Sequence, residues 1–585
     1  MATHATSPAP TLDNAGNPIP RYEARQKVMG AKLYGDDLAV PGRPAYGYLV
    51  TSAVAKGSIT RIDDSAAKAV PGVLTIMTHE NRPQLNAIKH FGEGGLALTS
   101  QVPLAGPAIA HDGQIVAYVV ADTFEAAREA AHRLDISYAE ARPATTFGSP
   151  GADSIAMTEV DDEFENPSLG DVEAALAGSA HVVEADYATP VQHHNPIELF
   201  TTTAFWEGER LTIQEPSQFV WGAKHAVAEQ LGMPVENVHY VAPFVGGAFG
   251  SKAAIGHRSS LTALAAREIG RPVKLVATRD QGFTIGGYRQ ETKNRVRLGC
   301  DAEGRLTGYH HDLDEFTAQL DDYRNGGIEN SAAMYAFRAI GSNQKITRGD
   351  RNVPVFMRSP PEVPVMYALE SAMNELAEKA GMDPVAFRRL NDTRVNPLTG
   401  APYTSRSLNE CYDAAAEQFG WSRRNPKPRS MRDGDWLIGW GCATATYPTA
   451  MSPATARVTL RADGSATVEA AVHDVGTGAY TIIGQTAGER LGIDPDRITV
   501  KCGDSDLPPG PVSGGSITTA SITSAVAMAC DAILAKLDAN GPMSDANRRA
   551  AFARIGINAI DEYAEWSPPG AGENAAKSLY EGGVR

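Results

Sequence analysis

The run Val241-Ala242-Pro243-Phe244-Val245-Gly246-Gly247-Ala248-Phe249-Gly250-Ser251-Lys252 constrains this chain more than any other stretch. An extended segment, Val238-His239-Tyr240-Val241, leads into it. A helical pattern with Leu261, Leu264, Ala265 and Ile269 on one face leaves it. Glycines between a strand and a helix let the backbone approach another group closely and expose N–H groups at a helix start. Taken alone, such a stretch reads as a tight strand-to-helix turn. Two further small-residue loops shift that balance. Gly476-Thr477-Gly478 and the run 513–521, containing Ser516, Thr518 and Thr519, each follow a strand pattern and open a helix. Three such loops offer enough N–H donors to wall one large, elongated polar ligand.

Known nucleotide fingerprints do not fit these loops. Ser251 separates Gly250 from Lys252, which rules out a P-loop, and Thr481 stands where a G-x-G-x-x-G run beginning at Gly476 needs its third glycine. Two polar singletons are candidate ligand groups. Gln218 follows a strand end, 31 positions before Phe249, and its amide can both donate and accept. Arg358 lies in an irregular, proline-flanked segment, where a fixed cation can hold an oxyanion. His193 and His194 are adjacent on an extended segment, so they face opposite sides and read as structural.

The rest of the chain reads as a mixed α+β and α/β protein. Its 585 residues call for several domains, and 43% apolar content supplies their cores. The expected order is a disordered tail (1–24), a small α/β domain (25–140), a linker (141–170) and two larger units (171–420 and 421–585). Within 25–140, strands over 45–51, 73–77 and 115–121, a helix capped by Asp122 with Glu125 in its first turn, and a returning strand over 135–138 suggest a β-α-β unit. The net charge of −16 argues against nucleic acid or an anionic membrane surface as partner. No apolar run is read as reaching the ~20 residues of a membrane helix. The cysteines, Cys300, Cys411, Cys442, Cys502 and Cys530, form no C-x-x-C pair, which argues against an iron–sulfur cluster, a zinc ribbon or a disulfide framework and for a reducing compartment.

Several of these segments, in order, resemble the molybdopterin-binding large subunit of the xanthine dehydrogenase/aldehyde oxidase family. The Gly-Gly-Ala-Phe-Gly loop is similar to the family's G-G-x-F-G loop, with Gln218 upstream at the family's spacing. Phe356-Met357-Arg358-Ser359-Pro360 resembles its arginine loop, and Glu370 to Ala377 with Asp383 to Asn391 resembles a signature helix pair. Asp474 to Gly478 and Gly503 to Asp506 resemble its second cofactor domain. The resemblance runs from about residue 25 to about 535. It implies a small N-terminal hammerhead-like α/β domain followed by two elongated molybdopterin-binding α+β domains, the last expected to be incomplete.

The resemblance also implies a molybdenum hydroxylase that oxidises aldehydes to carboxylic acids with water as oxygen source. The cofactor is expected as the cytosine dinucleotide, with molybdenum held by the pterin dithiolene and no protein ligand. A [2Fe–2S] subunit and an FAD subunit are the implied partners, as in three-subunit bacterial aldehyde oxidoreductases. The expected compartment is the cytoplasm, or the periplasm by export with a partner. Gln218 and Arg358 are expected beside the metal, and Gly247, Ala248, Phe249 and Gly250 along the cofactor. Gly476, Thr477 and Gly478 are expected at the pterin or phosphates, and Ser516, Thr518 and Thr519 at the rest of the dinucleotide. Ala253 stands where purine-oxidising members carry a glutamate, which favours aldehydes. The family's general-base glutamate is expected beyond residue 585. A non-catalytic cofactor-binding fragment and an N-heterocycle hydroxylase are the alternative readings.

Overall fold

A computed structural model describes residues 18–447, 450–571 and 575. A seven-stranded sheet carries the first half of the chain. Its order is Val238–Val241, Arg210–Gln214, Thr201–Glu207, Val273–Val276, Ala45–Thr51, Ile115–Ala121, Val73–Thr78. All residues of Ile115–Ala121 are buried, as an unbroken apolar run requires of a strand covered on both faces. A five-stranded sheet (Asp153–Ala156, Ala339–Gly349, Leu306–Ala318, Thr292–Cys300, His181–Thr189) packs against the helix Glu362–Lys379. A four-stranded sheet (Ile498–Lys501, Ala466–Glu469, Ala454–Arg461, Ala559–Trp566) packs against the helices Ala479–Leu491 and Thr518–Lys536.

Two βαβ crossovers place the site. Arg210–Gln214 and Val238–Val241 pair in parallel, so they need a crossover, and the helix Val220–Leu231 supplies it. Ala466–Glu469 and Ile498–Lys501 repeat the arrangement around Ala479–Leu491. The two units meet carboxyl end to carboxyl end. The Ala242 N–H donates to the Gly503 carbonyl at 2.6 Å, Ser505 N–H to Tyr240 at 2.9 Å, and Val245 N–H to Asp474 at 3.3 Å. A Cβ at Gly503 would stand 2.2 Å from the Ala242 carbonyl oxygen, so the contact requires glycine. Ligand clefts in open α/β sheets form outside such carboxyl ends, and here two sets of ends share one cleft.

Strands of the segment 25–140 lie in the same sheet as strands of 171–420, with Ala45–Thr51 parallel to Val273–Val276. Several expectations about local elements are corrected. The proposed β-α-β unit is not one sheet: Ile115–Ala121 belongs to the seven strands, whereas Asp135–Glu140 pairs with Gly57–Asp63 in a three-stranded sheet. The helix Phe124–His132 is capped by Thr123, whose hydroxyl accepts the Ala126 N–H at 3.2 Å. Asp122 instead pairs with Arg271 at 2.8 Å. The 141–170 segment is built into the fold, since Asp153–Ala156 pairs with Ala339–Gly349 and Met157 is buried.

Of the expected tail, residues 1–17 lie outside the described residues, but 18–24 are ordered. Tyr22 donates its hydroxyl to the Pro495 carbonyl at 2.9 Å, and Arg21 donates to the Gly476 carbonyl at 2.6 Å. One apolar run does reach membrane length. The helix Thr518–Lys536 has a mean hydropathy of 1.4, and 61% of that window is buried against the four-stranded sheet and its neighbouring helix, which makes it a core helix.

Candidate functional site

Between the two crossovers lies a cavity of about 1580 Å3. That exceeds the ~300–1000 Å3 of a drug-sized pocket and suits an elongated ligand. Nine of the expected residues border it: Gln218, Phe249, Gly250, Arg358, Gly476, Thr477, Ser516, Thr518 and Thr519. Three do not. Ala248 is buried, and its carbonyl accepts the Ser251 hydroxyl at 2.8 Å. Gly247 takes φ +96° and packs against Pro196 and Phe249. Gly478 takes φ +87° where the helix Ala479–Leu491 begins, with Arg21 beside it. These three shape their loops from behind the wall.

Gln218 joins the two halves. It is 4% exposed, and its Nε2 donates to the Ser513 carbonyl at 2.8 Å. Its Oε1 accepts the N–H groups of Gly250 and Lys252, both at 3.2 Å. Its backbone N–H donates to Lys252 and its carbonyl accepts from Ser513, each at 2.8 Å. The amide thus ties the glycine loop to the Ser513 loop and keeps one Nε2 hydrogen for a ligand. His473 makes a second tie. Its Nε2 accepts the Val220 N–H at 3.0 Å at the start of the helix Val220–Leu231, and burial pushes its pKa down to about 3, so the ring is neutral.

The glycine loop is held from below. Lys252 is buried and pairs with Glu198 at 2.9 Å, and the same carboxylate oxygen accepts the Gly246 N–H at 2.8 Å. A Cβ at Gly250 would stand 1.9 Å from the Phe356 carbonyl oxygen. The Arg358 N–H donates to the Phe249 carbonyl at 2.9 Å. The arginine segment therefore lies directly on the glycine loop. Phe249, Ser359 and Ser516 all border the cavity at positive φ (58°, 56°, 56°), a conformation that surroundings must impose on a residue with a side chain. Phe249 is 45% exposed, presenting its ring to the cavity. The Arg358 guanidinium has no partner among the described residues and is available to an oxyanion.

Helix starts supply further donors. Ser516, Ile517, Thr518 and Thr519 border the cavity where the helix Thr518–Lys536 begins, and no side chain caps that start. Gly476 and Thr477 lie at the start of Ala479–Leu491, ordered by Asp474, whose Oδ1 accepts the Gly476 N–H at 2.8 Å. Uncapped N–H groups and positive helix ends favour phosphate. This donor set fits a molybdopterin cofactor: a polar amide, an exposed ring and a free arginine at one part, and glycine loops with helix starts at another.

Sequence reasoning missed several functional groups. Phe91, Tyr323 and Phe356 border the cavity as one aromatic cluster, with Phe91 and Phe356 centroids 4.6 Å apart. Ala253, which the sequence did single out, borders it too, at the position where the resemblance expects a glutamate in purine-oxidising members. Glu93, Asp161 and Asp322 border it as carboxylates, and Asp322 is paired with Arg348 at 2.7 and 2.6 Å. His193 and His194 do diverge. His194 Nε2 donates to the Phe356 carbonyl at 2.8 Å, while His193 packs edge-on to Phe283. No local pattern marks these contacts, because their partners lie far away in sequence.

Two separate family models, each described as a molybdopterin cofactor-binding domain, match residues 157–392 and 414–564. The aldehyde oxidase and xanthine dehydrogenase a/b hammerhead domain matches 29–142. The aldehyde oxidoreductase molybdenum-binding subunit PaoC of Escherichia coli (strain K12) is 35% identical over 531 residues, which cover 90% of this chain and 70% of that protein. The chain belongs to the xanthine dehydrogenase/aldehyde oxidase family. As a member it carries the two molybdopterin-binding domains whose loops face each other across the cavity. The aldehyde oxidoreductase of Desulfovibrio gigas shares the fold, with a TM-score of 0.77 at 23% identity. That match covers 94% of this chain and 63% of the D. gigas chain, so this chain spans less than two thirds of its length. The quinoline 2-oxidoreductase of Pseudomonas putida 86 shares the fold as well, with a TM-score of 0.78 at 18% identity over 96% of this chain and 80% of that one.

Proposed function

We propose that this chain is the molybdenum-cofactor-binding subunit of a hydroxylase that oxidises aldehydes to carboxylic acids. The observation that carries this reading is the cavity between the two crossovers, where Gln218, Phe249, Gly250 and Arg358 meet the loops at 476–477 and 513–519. Likeness to a molybdenum-binding subunit of an aldehyde oxidoreductase supports it. Ala253 stands in the cavity wall at the position where the resemblance expects a purine-holding glutamate, which favours an aldehyde substrate.

The cofactor is the cytosine dinucleotide form of molybdopterin. When bound, it supplies the two-electron oxidation of the aldehyde carbon, with oxygen from water. Around it, Gln218 would offer its remaining N–H to the bound cofactor, and Arg358 would hold an oxyanion of substrate or product. The loops at 476–477 and 516–519 hold pterin and phosphate oxygens. Iron–sulfur and FAD subunits take the electrons onward, since the five cysteines are free thiols spread through the fold. Those unpaired thiols also support a cytoplasmic location.

The test is turnover by the complex with its partner subunits in 18O-water. An aldehyde yields a carboxylate that carries oxygen from the 18O-water, and faster than an N-heterocycle is hydroxylated. A folded, molybdenum-loaded complex that oxidises no aldehyde contradicts the reading.

A further inference from the structure

Arg289 has no part in the chemistry above, yet it is held with unusual care. It is 2% exposed and lies just before the strand Thr292–Cys300. Its backbone N–H donates to Gln192 at 2.9 Å and its carbonyl accepts from Gln192 at 3.2 Å. The guanidinium turns its four Nη hydrogens onto four consecutive carbonyls. Nη2 donates to Met357 and Arg358, both at 2.7 Å, and Nη1 to Ser359 and Pro360, both at 2.9 Å.

The gripped segment explains the need. It has no regular structure, Ser359 sits at φ +56°, and Pro360 and Pro361 lack N–H groups. Such a segment cannot satisfy its own carbonyls, and each buried one left unpaired costs about 1–3 kcal/mol. A planar fork of donors meets all four at once, which an ammonium with three donors cannot do. His194 holds the preceding carbonyl, that of Phe356, and the Arg358 N–H is held by Phe249. The Arg358 side chain therefore leaves a backbone clamped on both sides, and it reaches the cavity.

We propose that Arg289 is a positioning residue that fixes where the Arg358 guanidinium stands in the cavity. The proposal rests on reading that cavity as the aldehyde site. It predicts that Arg289 acts through Arg358 and not through the stability of the fold at large.

The test compares Arg289→Lys, Arg358→Ala and the double variant in the assembled complex. A displacement of the segment near 1 Å lowers kcat/KM for an aldehyde by about 10- to 100-fold in Arg289→Lys. The double variant falls no lower than Arg358→Ala alone, because residues acting as one unit are not additive. A second readout needs no turnover. Backbone hydrogen exchange over residues 355–359 speeds up in Arg289→Lys, while exchange in the helix Thr518–Lys536 and the molybdenum content stay at wild-type values. Effects that multiply in the double variant, or unchanged exchange over 355–359, overturn the proposal. A wild-type complex without aldehyde turnover counts against the functional reading alone, and the exchange measurement then decides on Arg289.

Discussion

Gly250 carries more of the site than its size suggests. Its φ of +114° strains any residue with a Cβ, and that Cβ would stand 1.9 Å from the Phe356 carbonyl oxygen. Neither neighbour can retreat, since Arg289 and His194 hold the one and Gln218 accepts from the other. Gly250→Ala is expected to cost about 2–5 kcal/mol in urea unfolding. Molybdenum content should fall with it, because the arginine segment must lift off the glycine loop. Buried histidines govern the pH response. Burial holds His194 and His257 down to about 4, and His311 and His473 down to about 3. The unfolded chain binds their protons near pH 6.5, so their contribution is present above that pH and is lost as pH falls toward 4. Each contributes a slope of about 1.4 kcal/mol per pH unit within that window. Glu315 opposes them, since burial raises its carboxyl to about 7 and favours the folded state toward low pH. Burial also pushes His90, His111, His193 and His225 down and the Glu362 carboxyl up, so histidines outnumber the opposing carboxyls and thermal stability should fall on acidification from pH 7 to pH 5. A flat profile across that range contradicts the account.

Single elements were the most legible level of the sequence. The strand Ala45–Thr51, the strand Ile115–Ala121 and the helix Ala479–Leu491 lie where composition and period put them, because a local pattern decides them. Pairing was not legible. Nothing local says that Ala45–Thr51 lies beside Val273–Val276, or that Asp153–Ala156 has a partner strand. The cap at Thr123 went to Asp122 in sequence because both residues can cap, and Asp122 is taken by Arg271. The signature helix pair acquires a physical reason. Glu370 and Arg388 form a buried pair at 2.7 Å, and Glu370 also accepts the Tyr335 hydroxyl at 2.6 Å and the Thr444 N–H at 2.8 Å. Arg388→Met strands that carboxylate and is expected to cost about 3–5 kcal/mol, read as a lower denaturation midpoint. Replacing both partners by apolar residues of similar volume should cost less than the single change.

For the molecule as a whole, the decisive feature is that two crossovers of like design face each other. In sequence they appear as three separate glycine-rich loops plus two polar singletons. Their convergence depends on contacts such as Ala242 with Gly503, some 260 residues apart. The N-terminal segment reinforces the junction from outside. Arg21 holds the Gly476 carbonyl, while Lys32 stands 3.8 Å from the centroid of the Phe244 ring, which stacks on Tyr480 at 4.7 Å. The cavity is thus a property of both domains together, and its ligand should bind only when both are folded. The most direct measurement is the molybdenum and cytidine monophosphate released from the purified complex, counted per copy of this chain. The account predicts about one of each, and less of both in Gly250→Ala. A correctly folded complex that holds neither would contradict it.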